Sequence, residues 1–196
     1  MNIASTALTL FLVLDPFGNM VTFHTQLSRV PEARRTRVLV RELLIAFFIL
    51  MFFLFAGSSI LSTLGIRPST LSISGGILLF LIALGMVFPA KSILHDPGST
   101  EEPFIVPLAV PMMVGPSAIA LLLLLATKYP HSMLQSALAV SVAWAASAVI
   151  LLVSPWLLKR LGGKGTQAME RLMGLLLILI AVQMFLDGVS AGNFFP

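Results

Sequence analysis

The chain has 196 residues, of which 58% are hydrophobic and 10% are charged, and its mean hydropathy is +1.01. Soluble domains carry about 25% charged residues, and one of this length could not bury so much apolar surface, so lipid must surround most of the chain. The lack of cysteine excludes disulfides, thiolate metal sites and cysteine nucleophiles. The net charge of +4 does not indicate a nucleic-acid partner, because the cations lie in short segments between hydrophobic runs.

Six apolar stretches approach the roughly 20 residues that a helix needs to cross a bilayer core of about 30 Å. They predict transmembrane helices near residues 3–27, 40–63, 70–88, 104–127, 134–157 and 172–190. The N-terminal stretch lacks the basic start and the cleavage site of a signal peptide, so we interpret it as a retained first helix. The expected fold is an all-α polytopic membrane protein with one membrane domain over residues 1–196.

The first and fourth stretches differ from the others because helix-breaking residues lie inside them. The first contains Asp15, Pro16, Phe17, Gly18 and Asn19 in a row, and the fourth contains Pro107, Pro111, Gly115, Pro116 and Ser117. Proline and glycine disfavour an unbroken helix interior. We therefore expect both helices to bend or unwind at these positions.

The cations fall almost entirely on one side of the membrane if successive loops alternate. Loops near residues 28–41, 89–103 and 158–171 hold ten of the twelve lysines and arginines, and the other side holds Arg67 and Lys128. Cytoplasmic loops carry an excess of lysine and arginine. This pattern predicts that the three cationic loops are cytoplasmic and that both termini lie outside, in the periplasm.

The two halves of the chain share a sequence pattern. Residues 76–86 read GILLFLIALGM and residues 174–184 read GLLLILIAVQM, while Pro16 falls opposite Pro116 at a similar offset. This similarity predicts a repeat over about residues 1–90 and a second over about 104–196. Because each repeat has three helices, an odd number, the second must enter the membrane from the opposite side. Inverted repeats with broken helices in matching positions are typical of secondary transporters, whose sites lie at the bilayer midplane.

Asp15 is the strongest single candidate for a functional residue. An ionised carboxylate near the middle of the bilayer costs about 2.5–3.5 kcal/mol on insertion scales. The break at Pro16 and Gly18 frees backbone groups, and a helix starting there offers N–H donors to an anion. Asp15 therefore either handles a substrate or a proton, or only caps the half-helix that follows.

The other candidates lie beside the same two breaks. Asn19 offers a donor and an acceptor, although hydrogen bonding between helices would also explain it. In the fourth helix an opened backbone would carry a hydroxyl, although a plain proline kink is the alternative. The predicted substrate site consists of Asp15, Pro16, Gly18, Asn19, Gly115, Pro116 and Ser117, with Asp15 also the candidate for ion coupling.

No enzyme or metal signature occurs in the sequence. The metalloprotease, serine-hydrolase and nucleotide-binding motifs are missing, and His24, His95 and His131 fall in or near loops rather than together. We expect no catalytic residues, no cofactor and no metal. Glu42 and Glu170 are interpreted as boundary residues whose side chains reach water.

Small residues recur at two further places. Residues 72–76 begin the third helix with serine and glycine, and Ala139, Ala143 and Ser147 form a stripe on the fifth. Small residues let helix backbones approach closely in membranes. We interpret both as packing surfaces.

Three segments together resemble the MarC family of bacterial and archaeal inner-membrane proteins: residues 15–19, residues 102–109 leading into Pro111 and Gly115, and residues 184–188. The resemblance covers essentially the full chain. It implies six helices, and some members are described as transporters of small neutral amino acids such as glycine and alanine, with ion or proton coupling suggested. The family is grouped distantly with LysE-type exporters. Ser117 stands where the family often has glycine, and so adds bulk and a hydroxyl.

These observations favour a secondary transporter of small neutral amino acids or similar zwitterions, using alternating access at a midplane site. Asp15 is the candidate coupling residue because a carboxylate in a poorly hydrated site readily takes up a proton. The alternatives are an exporter of amino acids or other small metabolites, and a passive channel or membrane-embedded partner subunit. A homo-oligomer in the lipid bilayer is compatible with all of them.

Overall fold

The computed structural model describes residues 2–28, 30–88 and 114–192, and within these ranges the chain is helical without any strand. The helices are α1 (Ile3–Leu14), α2 (Pro16–Ser28), α3 (Glu32–Leu64), α4 (Pro68–Val87), α5 (Pro116–Lys128) and α6 (Met133–Ala191), and a 3-10 turn at Pro130–Ser132 precedes α6. The prediction of an all-α protein is confirmed for the described residues. Pro107, Pro111 and the first half of the predicted fourth helix lie outside them.

Within the described residues, four helical segments are long and apolar enough to cross a membrane. They are Ile3–Thr25, Glu32–Leu64, Pro68–Val87 and Pro130–Ala191. The fourth of these contains both the fifth and the sixth predicted helices. The remaining helix, α5, is apolar but has only 13 residues.

Helix α6 is too long for a single crossing. Its 59 residues would extend about 88 Å, nearly three times the thickness of the bilayer core. The backbone leaves the helical region at Gly162, with φ 63° and ψ 177°, and this break divides α6 into a first arm, residues 133–161, and a second arm, residues 163–191. The prediction of a loop over 158–171 was wrong, because the chain there is helical except at Gly162.

The ends of the helices follow local sequence signals. Proline occupies the first position of α4 and α5, where its missing N–H would have no partner in any case. Gly65 ends α3 with φ 65° and donates its N–H to Leu61 and Ser62 carbonyl oxygens, a common glycine termination. Helix α3 begins at Glu32, earlier than predicted, because arginine, leucine and glutamate sustain a helix beyond its apolar part.

Helix α4 packs against the second arm of α6 with the two backbones in contact. A Cβ atom added to Gly76 would lie 2.8 Å from the Ala181 carbonyl oxygen. The Ser72 hydroxyl donates a hydrogen bond of 2.6 Å to the Met184 carbonyl oxygen. The packing interpretation of residues 72–76 is thus confirmed.

The first arm of α6 packs against α3. The indole N–H of Trp144 donates to the Leu43 carbonyl oxygen over 2.9 Å, and its ring lies 4.8 Å from that of Phe47. Ala139, Ala143 and Ser147 are fully buried, as the packing interpretation requires. Large apolar side chains point outward instead, where lipid would contact them, and they include Phe48, Phe52, Leu175 and Leu179.

Candidate functional site

The first helix breaks at a single residue, Asp15. Helix α1 ends at Leu14, Asp15 adopts left-handed angles of φ 44° and ψ 61°, and α2 begins at Pro16. Aspartate is one of the few residues with a side chain that tolerate this region. Pro16 at the first position of α2 gives up no hydrogen bond. The sequence therefore confines the break to one residue between two continuous helices.

Side chains of the break satisfy the backbone groups that it frees. The Gly18 N–H donates to Asp15 Oδ1 over 3.1 Å, so the carboxylate caps the start of α2. The side-chain amide of Asn19 donates to the Leu14 carbonyl oxygen over 2.9 Å and so caps the end of α1. The structure thus contains the helix cap that was one of the two interpretations of Asp15. The Asn19 side chain bonds to Leu14, at the end of α1, rather than to a more distant helix.

Gly18 lets the carboxylate lie over the first turn of α2. A Cβ atom at this position would collide with Asp15 Oδ2 and lie 2.8 Å from the terminal methyl of Met86, in the last turn of α4. Pro16 is buried, whereas Asp15, Gly18 and Asn19 are half-buried. The carboxylate is thus wedged between its own helix and the end of α4.

The second predicted break lies at the start of α5. Gly115 precedes the helix with φ −66° and ψ 164°, and Pro116 is its first residue. The Ser117 side chain is buried and Pro116 is exposed. Among the described residues, a Cβ atom on Gly115 would approach only Ser117 Oγ, at 3.8 Å. In contrast to α2, α5 has no side-chain hydrogen bond at its N-cap within the same part of the chain.

The structure therefore gathers the seven predicted residues into two separate turns. Asp15, Pro16, Gly18 and Asn19 form one of them, and residues 115–117 form the other. Helices α1 and α5 contact each other, but among the hydrogen bonds of the described ranges none joins the two turns.

No group of three or more histidine, aspartate or glutamate side chains in those ranges is placed to hold a metal ion.

Glu42 is a buried charged residue whose role the sequence did not indicate. Its side chain is only 3% exposed, so the prediction that it reaches water was wrong. Its Oε1 accepts hydrogen bonds of 2.7 and 3.1 Å from Arg41, but Oε2 is buried without a partner among the described residues. The helical spacing from Leu39 and to Ala46, both buried, is the signal that would have placed Glu42 on the inner face.

Comparison with known proteins agrees with this architecture. The family model for MarC family integral membrane proteins matches residues 1–192. The chain belongs to the MarC family. The resemblance seen in the sequence is thereby confirmed, and the protein is an integral membrane protein.

Relatives in the MarC family match along nearly the whole chain. The inner membrane protein YhgN of Escherichia coli K12 is 49% identical over 189 residues, which are 95% of either chain. A membrane protein of Buchnera aphidicola from Schizaphis graminum is 47% identical over 189 residues, or 96% of either chain. A membrane protein of Methanocaldococcus jannaschii is 29% identical over 190 residues, covering 92% of this chain and 83% of its own. No solved structure gives a significant match.

Proposed function

We propose that this MarC-family protein is a secondary transporter of small neutral amino acids or similar zwitterions in the inner membrane, working by alternating access. The observation that carries the proposal is the opened turn at Asp15, which places a carboxylate and two capped helix ends inside an apolar helix. Broken helices of this kind hold substrates and ions in transporters.

Six membrane crossings arranged as two inverted repeats are part of the proposal. An offset of 98 residues relates Gly76 to Gly174 and Ala83 to Ala181. A Cβ atom on Gly76 would lie 2.8 Å from the Ala181 carbonyl oxygen, and one on Gly174 would lie 3.1 Å from the Ala83 carbonyl oxygen. In each contact the glycine of one segment faces the alanine carbonyl oxygen of the other segment. A two-fold axis produces such a reciprocal pair of contacts. This reciprocity supports the inverted repeat.

The two half-helices support the same correspondence. Helices α2 and α5 each have 13 residues and each begin with proline, at Pro16 and Pro116. The break at Gly162 supports two crossings within α6, since each arm is longer than the roughly 20 residues required. With six crossings, the distribution of cations favours a periplasmic location for both termini.

The difference between the two turns supports a separate role for each turn in binding the two ends of a zwitterion. No side chain of the described residues caps the N–H groups at the start of α5, so they and the Ser117 hydroxyl are suited to the substrate carboxylate. The α2 turn already holds a carboxylate, that of Asp15, which is suited to the ammonium group. Asp15 is also our candidate for the coupled proton. The site would thus lie between α2 and α5, and alanine or glycine would fit its two charges.

The test is counterflow of radiolabelled glycine and alanine into proteoliposomes of the purified protein. We expect saturable exchange in the wild type and its loss in Asp15→Asn, because asparagine keeps the helix cap but removes the charge. Asp187→Asn makes the same chemical change at an exposed position and should leave exchange unchanged.

The same assay separates the alternatives. Exchange that saturates is a property of a carrier and not of a passive channel, and efflux from preloaded vesicles reports export. A folded wild type that exchanges neither amino acid would overturn the proposed substrate class, and equal exchange in Asp15→Asn would overturn the role of Asp15.

A further inference from the structure

A cavity with several polar side chains in its wall opens between α2 and the break in α6. Its volume is about 430 Å³. On the α2 side it is lined by Val21, His24 and Thr25. On the α6 side its polar lining residues are Thr166, Gln167 and Glu170. Val21 lies six residues after Asp15, which is about 9 Å along the helix. The inner end of the cavity is therefore within two turns of the Asp15 carboxylate.

The break at Gly162 creates this space. Gly162 and Gly163 line the cavity, and a Cβ atom on either would meet no atom within 4 Å. The Thr166 hydroxyl donates to the Gly162 carbonyl oxygen over 2.9 Å, which holds the interrupted turn in place. The result is an open cavity whose wall is fixed by a hydrogen bond.

Glu170 supplies the negative charge of the cavity. It is half-buried and is the only acidic side chain among the lining residues that the structure describes. Glu170 lines the same cavity as Val21, which lies about 9 Å along α2 from Asp15. Arg160 instead stacks on Trp156, 5.1 Å from the ring centre, and does not line the cavity. A cation between Glu170 and Asp15 is attracted by both carboxylates.

We propose that this cavity is the mouth through which the solute reaches Asp15 from the cation-rich side of the membrane, and that Glu170 is the first binding site for its ammonium group. This inference rests on the proposed transport of zwitterions. The ammonium group passes from Glu170 along α2 to Asp15. Glu170 thereby selects solutes that carry a positive charge and slows the entry of anions.

The lack of cysteine in the chain makes a direct test available. A single thiol at Thr25→Cys, in the cavity wall, is labelled in sided vesicles with membrane-impermeant methanethiosulfonate reagents, one cationic and one anionic. We expect reaction from the cation-rich side only, and a preference for the cationic reagent roughly fivefold above that of a free thiol. Glu170→Gln should remove this preference.

Two further variants control the test. Glu32→Gln removes a carboxylate from an exposed side chain outside the cavity and should leave the labelling preference unchanged. Gln167→Glu added to Glu170→Gln returns a carboxylate to the same wall and should restore the preference. Labelling from the opposite side, or a preference that survives Glu170→Gln, would overturn the inference.

The labelling result is independent of transport, so the two proposals fail separately. In counterflow we expect Glu170→Gln to raise the half-saturating alanine concentration about threefold or more on the cation-rich side, with the maximal rate within about twofold of the wild type. If counterflow is normal but the cationic and anionic reagents label without any preference, this inference alone is overturned. Charge-dependent labelling without any counterflow would overturn the transport proposal, and with it the ammonium site.

Discussion

The two carboxylate oxygens of Asp15 have different surroundings. Oδ1 accepts the Gly18 N–H, whereas Oδ2 lies where a Cβ atom of residue 18 would be, a position that glycine leaves empty. The first oxygen holds the break together, and in the proposed site the second would contact the ligand. A substitution at Gly18 acts on the second oxygen without removing the charge.

Gly18→Ala is therefore expected to reduce counterflow more than tenfold. Its Cβ atom would collide with Asp15 Oδ2 and press on Met86, so the carboxylate must turn away from its cap. Gly85→Ala is the matched control, because Gly85 lies outside the proposed site and its Cβ atom would meet no described atom within 4 Å. Equal losses in the two variants would contradict this account of Gly18.

Glu42 poses a different question, because its burial is only partly compensated. Arg41 binds one carboxylate oxygen, and Arg41 itself is largely exposed and can be solvated without its partner. Replacing buried charges by apolar side chains of similar volume is often neutral or stabilising by about 1–4 kcal/mol. We expect Glu42→Met to raise the thermal midpoint of the purified protein.

Glu32→Met is the control for Glu42→Met, since Glu32 is exposed and should give no change. Thermal unfolding of both variants in the same detergent provides the measurement. A lower midpoint for Glu42→Met would show that the unpartnered oxygen is stabilised in the folded protein.

At the scale of elements, the sequence predicted where the first helix would break but not how the break is closed. Pro16 and Gly18 are visible breakers, whereas the bond from Asn19 to the Leu14 carbonyl depends on the angle between two helices. The break in α6 was predicted too long, as a loop over residues 158–171, for the opposite reason. Leucine, lysine, arginine and glutamine around Gly162 are good helix formers, so a charged segment expected to be a loop remains helical.

Gly162 should be far less tolerant of alanine than its neighbour. Its angles of φ 63° and ψ 177° fall in a region that is essentially restricted to glycine, and a side chain there costs about 1–3 kcal/mol. Gly163 has no positive φ, so alanine there should be neutral or slightly stabilising. Thermal midpoints of Gly162→Ala and Gly163→Ala measure the difference, and equal midpoints would contradict it.

At the scale of the molecule, composition and hydrophobic runs were sufficient for an all-α membrane protein, and the motifs were sufficient for its family. The relation between residues 76–86 and 174–184 was also visible. What the sequence did not indicate is that these two segments face each other, because similar segments need not be in contact. Nor did it indicate the distance between the turns at Asp15 and Gly115, which depends on how the helices pack.

The facing segments give a prediction for the whole fold. In Gly76→Ala the new methyl group would meet backbone atoms of Ala181 and Phe185, and in Gly174→Ala it would meet Val87, Met86 and Ala83. Overpacking of this kind costs about 1–3 kcal/mol of stability. Gly76→Ala should cost more than Gly174→Ala, because backbone atoms cannot move away from the new methyl group as side-chain atoms can. Gly85→Ala, in the same helix but with open space around it, should leave the thermal midpoint unchanged.

The closed turn at Asp15 also has a consequence for the newly made protein. A broken helix can enter lipid only if the backbone groups it frees find partners. Here the bonds from Gly18 to Asp15 and from Asn19 to Leu14 join residues only three and five positions apart. All residues that form these two bonds are therefore present once the first helix has been synthesised. We expect that its insertion does not have to wait for synthesis of the second half.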